Sequence, residues 1–167
     1  MIKSYLFSLL ILLFAVLIET AVLSNIPLLP AVPDLVLICS LYFALNNGSV
    51  QGQTMGFAGG LLVDFLSGTP FGLNCLIRTI LGYISGLFKK ILNLKSVFVL
   101  FLIGLVATLV KALLIYGASV LFPNMINSYN MISKVFLFEL AVNSFLTPFI
   151  FKFLNFFSNI LIIEEKV

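Results

Sequence analysis

The stretch SVFVLFLIGLVATLVKALLIYGASVLF, residues 96–122, holds one charged side chain, Lys111, and no proline. A segment needs about 20 mostly apolar residues to cross a bilayer as a helix, and inside hydrocarbon only a helix or a closed barrel satisfies its own backbone. This run reads as a transmembrane helix, stopped by Pro123-Asn124. The rest of the chain has the same character. Of 167 residues 62% are hydrophobic and 9% charged, whereas soluble domains carry roughly 25% charged residues. Mean hydropathy is +1.24. These values exclude a soluble domain, and they exclude a disordered chain, which requires low hydrophobicity and high charge. The predicted fold class is an all-α polytopic membrane protein, a six-helix transmembrane bundle forming a single domain over residues 1–167.

Breaks in the apolar pattern set six spans, at about 4–24, 34–45, 50–66, 71–88, 96–122 and 133–160. Asn25-Ile26-Pro27, with Pro30 and Pro33, closes the first and keeps the linker extended. Asp34 caps the second, which is short for a span, and Asn46-Asn47-Gly48-Ser49 turns the chain after it. Ser67-Gly68-Thr69-Pro70 separates the third from the fourth. Lys89-Lys90 ends the fourth, and Pro148 is expected to kink the sixth, whose end is read as an interfacial tail. Lys3 followed by an apolar run has the general shape of a signal peptide. The run continues past Glu19 with no small-x-small cleavage pattern, so it is read as an uncleaved first span. Lys and Arg are retained on the cytoplasmic side. With the amino terminus inside, the inner segments hold Lys3, Lys89, Lys90, Lys95 and Lys166, and the outer ones hold Lys134. Both termini are predicted to be cytoplasmic.

The absence of His removes the commonest metal ligand and general base. Cys39 and Cys75 sit in apolar context, which suggests neither a disulfide framework nor a thiolate metal site. Ser67 follows Asp64 with no base to activate a nucleophile. No phosphate-cradling glycine loop precedes a strand, and a net charge of +3 from scattered loop lysines is no nucleic-acid surface. No catalytic residue, cofactor or metal is expected, and no nucleic-acid partner.

Five charged residues are read as lying within the membrane: Glu19, Asp64, Arg78, Lys111 and Glu139. Each costs a few kcal/mol in hydrocarbon, so each should face the bundle interior or a partner, in the outer half of the bilayer. Gly52, Gly56, Gly60 and Asp64 recur every four residues on the third helix, and Arg78, Gly82 and Gly86 on the fourth. A hairpin folded about Phe71 pairs Asp64 with Arg78, Gly60 with Gly82 and Gly56 with Gly86, and small residues at this spacing let backbones approach closely. The alternative is that the ridge receives a helix of another protein. On the sixth helix Glu139, Asn143 and Thr147 form a polar stripe, with Lys111 the expected partner of Glu139. The stripe reads as helix–helix glue or as a proton or substrate pathway.

The segment Gly59 to Asn74 carries the pattern Gly-x-x-x-Asp-x-x-Ser-Gly-x-Pro-x-Gly-x-Asn, matched by Gly60, Asp64, Ser67, Gly68, Pro70, Gly72 and Asn74. It resembles the signature of the MreD family of bacterial rod-shape-determining membrane proteins. Pro33-Asp34-Leu35 and Gly82-Tyr83 to Gly86 resemble further elements of that family, whereas the last two helices offer no match, so Lys111 and Glu139 gain no support from it. The resemblance implies a non-enzymatic scaffold of the cell-elongation complex in the cytoplasmic membrane. Its implied partners are MreC and, in a larger assembly, MreB, RodA and a class B penicillin-binding transpeptidase that support lateral peptidoglycan synthesis. It also implies a fold similar to the S components of energy-coupling-factor transporters, and a vitamin-binding S-component-like subunit is the competing function. By their own chemistry, Ser67-Gly68-Thr69-Pro70 makes a tight outer turn. The Asn74 amide is expected on carbonyls ending the third helix, and Asp64 on Arg78 or hydroxyl donors. The motif serves either the hairpin itself or contact with a partner.

Overall fold

A computed structural model of the chain describes residues 2–27, 29–124 and 133–163. Lys166, counted above among the inner lysines, lies outside the described residues. Regular structure among them is helical, with no strand. Helix α1 (Ile2–Leu17) continues through a π turn (Ile18–Val22) and a 3-10 turn (Leu23–Asn25). There follow α2 (Leu35–Asn47), α3 (Ser49–Ser67), α4 (Leu73–Leu87), α5 (Val97–Leu121), α6 (Lys134–Asn155) and the short α7 (Ser158–Leu161). Among the described residues, three helical stretches are long and apolar enough to cross a membrane: Ile2–Asn25, α5 and α6. Helices α2 and α4 are apolar but shorter, at 13 and 15 residues.

The short α2 is the centre of the molecule. Every residue from Val36 to Leu45 is buried, as expected of a helix that is apolar on all sides. It starts where Asp34 Oδ1 accepts the Leu37 amide at 2.8 Å, so the predicted cap is present. It ends at Gly48, whose φ of 97° suits glycine, and α3 begins at the next residue. Around α2 stand α1, the α3–α4 hairpin and the α5–α6 hairpin. Their outward faces expose large apolar side chains, among them Phe14, Phe98 and Phe149, the last 70% exposed. A soluble surface does not carry apolar side chains on this scale.

Two local features depart from the sequence reading. The first span is not one regular helix. Thr20, Ser24 and Asn25 turn their side chains back onto the carbonyls of Val16, Thr20 and Ala21, competing with the helical ladder where it widens into the π turn that carries Glu19. The sixth helix runs through Pro148 but stops at Asn155, short of the predicted 160. Beyond it the chain folds back as α7, with Leu161 fully buried. The Leu161 carbonyl accepts Ser4 Oγ at 2.7 Å and Asn47 Nδ2 at 3.0 Å, and the Ile163 amide donates to Asn47 Oδ1. These bonds tie the segment to the start of α1 and to the α2–α3 turn.

Candidate functional site: a charge network centred on Asp34

The glycine ridges of α3 and α4 do meet, at a different register. A Cβ built on Gly52 would strike the Gly82 carbonyl, one on Gly56 the Arg78 carbonyl, and one on Gly60 the backbone of Asn74 and Cys75; Gly86 lies against Gly48 and Ser49. Gly60 thus meets residue 74 rather than Gly82, and Gly56 meets residue 78 rather than Gly86. The slip is eight residues of α4, about 12 Å at 1.5 Å per residue.

Asp64 explains the slip. Its carboxylate accepts the amides of Gly72, Asn74 and Cys75 at 3.0–3.1 Å, together with Thr69 Oγ1 at 3.1 Å and Asn74 Nδ2 at 2.9 Å. The open N–H groups of a helix start attract a carboxylate. Meeting them requires the chain to run back alongside α3 after Ser67, so α4 begins level with residues 60–64. Gly68 and Gly72 take φ of 66° and 90° to make the reversal. Two expectations are corrected here. Asp64 does not pair with Arg78, because its oxygens are occupied by the loop and the α4 start. Asn74 binds Asp64 and Thr69 Oγ1 rather than carbonyls at the end of α3. Asp64 is buried, while Ser67, Gly68, Pro70, Phe71 and Gly72 are exposed, with Phe65 and Phe71 edge to face at 4.6 Å.

Arg78 goes to Asp34 instead. Its two terminal nitrogens donate to the two Asp34 oxygens at 2.7 and 3.1 Å, a bidentate pair with both side chains almost wholly buried. Lys111 Nζ donates to Asp34 Oδ2 at 2.6 Å and to Glu139 Oε1 at 2.7 Å. The Asp34 amide donates to Asn143 Oδ1 at 2.9 Å, and Asn143 Nδ2 reaches Thr108 Oγ1 at 3.3 Å. Glu19 comes within electrostatic reach of Asp34, Arg78 and Lys111, and accepts the Val36 amide at 3.4 Å. One aspartate at the start of the central helix thereby ties α2 to α4, α5 and α6.

Four of the five predicted intramembrane charges, Glu19, Arg78, Lys111 and Glu139, share this network; Asp64 serves the hairpin loop. The polar stripe on α6 divides its tasks. Glu139 holds Lys111, Asn143 holds the Asp34 backbone, and Thr147 Oγ1 bonds the Asn143 carbonyl beside Gly104, which a Cβ would drive into Thr147. Sequence reasoning missed Asp34 as a network member, since a helix-starting aspartate already has a local role. It also missed Gly104, the small residue that lets α5 approach α6.

Two cavities lie away from these charges. One, of about 390 Å³, is apolar and lies between α2, α4 and α5, lined by residues such as Leu45, Phe88 and Val106. The other, of about 500 Å³, lies between α2, α5 and α6 near Lys95 and Lys152. Among the described residues no group of three His, Cys, Asp or Glu side chains is placed to hold a metal ion.

The family model for rod shape-determining protein MreD matches residues 1–157. No curated protein and no solved structure matches the chain. The chain belongs to the rod shape-determining protein MreD family, whose members are membrane proteins that determine cell shape.

Proposed function

We propose that this member of the MreD family is a non-enzymatic scaffold of the cell-elongation complex, a six-span bundle of the bacterial cytoplasmic membrane with both termini inside. In this reading it binds MreC and, through the larger assembly with MreB, RodA and a class B penicillin-binding transpeptidase, supports lateral peptidoglycan synthesis. The observation that carries it is the closure of the charge network. Arg78 and Lys111, the two basic members, each end on carboxylates of the same bundle, so these costly intramembrane groups brace four helices. Buried ionic groups in membrane helices otherwise mark substrate or ion paths.

The signature motif takes a matching part. Asp64 and Asn74 rigidify the α3–α4 loop from beneath, while Pro70, Phe71 and Phe65 face outward from it. A rigid loop presenting aromatic side chains is a suitable contact for a partner near the outer leaflet, since aromatic residues are enriched at interface hot spots. The glycine ridges are spent within the α3–α4 hairpin, which argues against a partner helix seated in them. A vitamin-binding subunit similar to S components needs a polar pocket at the charge cluster, and there the side chains bond one another.

Depletion tests this reading. Cells that lose the protein should lose rod shape and regain it with the wild-type gene. A requirement for an external vitamin with shape unchanged would select the transporter function instead.

A further inference from the structure

The charge network closes for its bases and not for its acids. Arg78 and Lys111 each end on carboxylates, whereas three carboxylates, Glu19, Asp34 and Glu139, share these two cations. Glu19 is the one left over. Among the described residues no cation lies within ion-pair distance of it, and the hydrogen bond it accepts is the 3.4 Å contact with the Val36 amide. An ionisable residue inside the membrane marks a functional site by default, and its counter-charge is the first thing to seek. The backbone that carries Glu19 gives a second, independent sign. From Ile18 to Asn25 the first span runs as a π turn and then a 3-10 turn, and no residue in it is buried. Irregular backbone at membrane depth persists where protein or a water-filled cavity covers it, not against lipid, and π turns recur at functional sites. This chain leaves its own π turn open, with Leu17, Ile18 and Val22 exposed by 44%, 45% and 55%.

We propose that the outer end of the first span is the docking face for a membrane-spanning helix of a partner, which brings one Lys or Arg side chain to Glu19. The partner's cation completes the network, and its apolar side chains cover Leu17, Ile18 and Val22. The long stem of Lys or Arg lets the charge reach Glu19 from a helix packed alongside in lipid. Position supports the same occupant. Helices α1 and α3 run in the same direction, and a Cβ on Gly59 would lie against Leu12. Seven residues further along each, at Glu19 and Leu66, or about 10 Å at 1.5 Å per residue, the π turn is level with the signature loop and its exposed Phe65. The docking face thus continues the loop face assigned to a partner above. The partner's name, MreC, rests on the scaffold reading; the demand for a cation rests on the network alone.

Photo-crosslinking in native membranes tests it, with a benzophenone side chain placed on the full chain at Ile18 or Val22, and at Phe149 on α6 as the control. The first two should yield an adduct with a membrane helix that carries a basic residue, identified by mass spectrometry of the digest; Phe149 should not. Glu19→Gln should lower that yield by on the order of 10-fold, and Glu19→Lys should abolish it. Glu19→Lys should regain it when the basic residue of the captured helix is changed to Glu. The isolated Glu19→Gln protein should melt no lower than wild type, since it loses a carboxylate that holds no cation. A lower melting temperature makes Glu19 an internal brace and overturns the proposal. So does an adduct indifferent to Glu19→Gln, or one with lipid alone, in which case a proton or a lipid ammonium group answers the carboxylate. MreC captured from Phe149 and not from Ile18 overturns the docking face and leaves the scaffold reading standing. Another basic helix captured at Ile18, with the charge exchange restoring it, supports the face and removes MreC as its occupant.

Discussion

Replacing Asp34 by Asn keeps the side chain's shape and an oxygen able to accept the Leu37 amide, so the start of α2 survives. What disappears is the charge that faces Arg78 across 2.7 and 3.1 Å and Lys111 across 2.6 Å. Lys111 keeps Glu139, but Arg78 is left in a site 2% exposed with its direct carboxylate gone. Removing one partner of a buried ion pair costs about 3–5 kcal/mol, and that is the loss expected for Asp34→Asn. Arg78→Gln should cost less, about 2–3 kcal/mol, since Asp34 still has Lys111. The double variant should then be more stable than additivity allows, with a coupling of about 1.5–3 kcal/mol. Equilibrium unfolding in mixed micelles, followed by far-ultraviolet circular dichroism, measures all three differences. Coupling below about 0.5 kcal/mol, or equally strong coupling between Asp64 and Arg78, refutes the network described here.

Other substitutions probe the remaining contacts by the same assay. Asp64→Ala removes the acceptor for the first amides of α4 and should cost about 2–4 kcal/mol, more than an ordinary helix cap because several donors lose one charged partner. Gly52→Ala places a Cβ on the Gly82 carbonyl, a backbone clash that no rotamer relieves, and should cost about 1–3 kcal/mol. Gly117→Ala meets nothing within 4 Å and should stabilise α5 by about 0.5–1 kcal/mol. Gln51→Leu should lie within about 1 kcal/mol of wild type. Its bonds to Ser4 and Ser8 are long, at 3.4 and 3.3 Å, its carbonyl oxygen is unpartnered, and Ser4 keeps Leu161.

The helix ends were legible because Pro, Gly, Asn and Ser punctuate an otherwise apolar chain; α3 and α5 begin and end within a residue of expectation. The glycine ridges were legible as well, since period-four glycine has few other uses in a membrane helix. Their register was not. Folding the hairpin symmetrically about Phe71 assumes that the loop adds no offset, whereas Asp64 draws the start of α4 back beside it through three amides and two side chains. The same event decided Arg78, which at the predicted register would face Asp64 and at the actual one faces Asp34. That partner is 44 positions away, and no local pattern announces it. Lys111 and Glu139 were easier to join, being the lone charge of α5 and the lone acidic residue of the next long helix, α6. The fold-back of α7 rests on backbone carbonyls and on Asn47, groups whose tertiary partners leave no trace in hydropathy.

The scaffold account is tested most directly by what accompanies the protein out of native membranes. The full chain, extracted in mild detergent and isolated by affinity, should bring down MreC in amounts comparable to itself. Recovery of a tightly held vitamin, together with a membrane subunit coupled to an ATPase and without MreC, would contradict it.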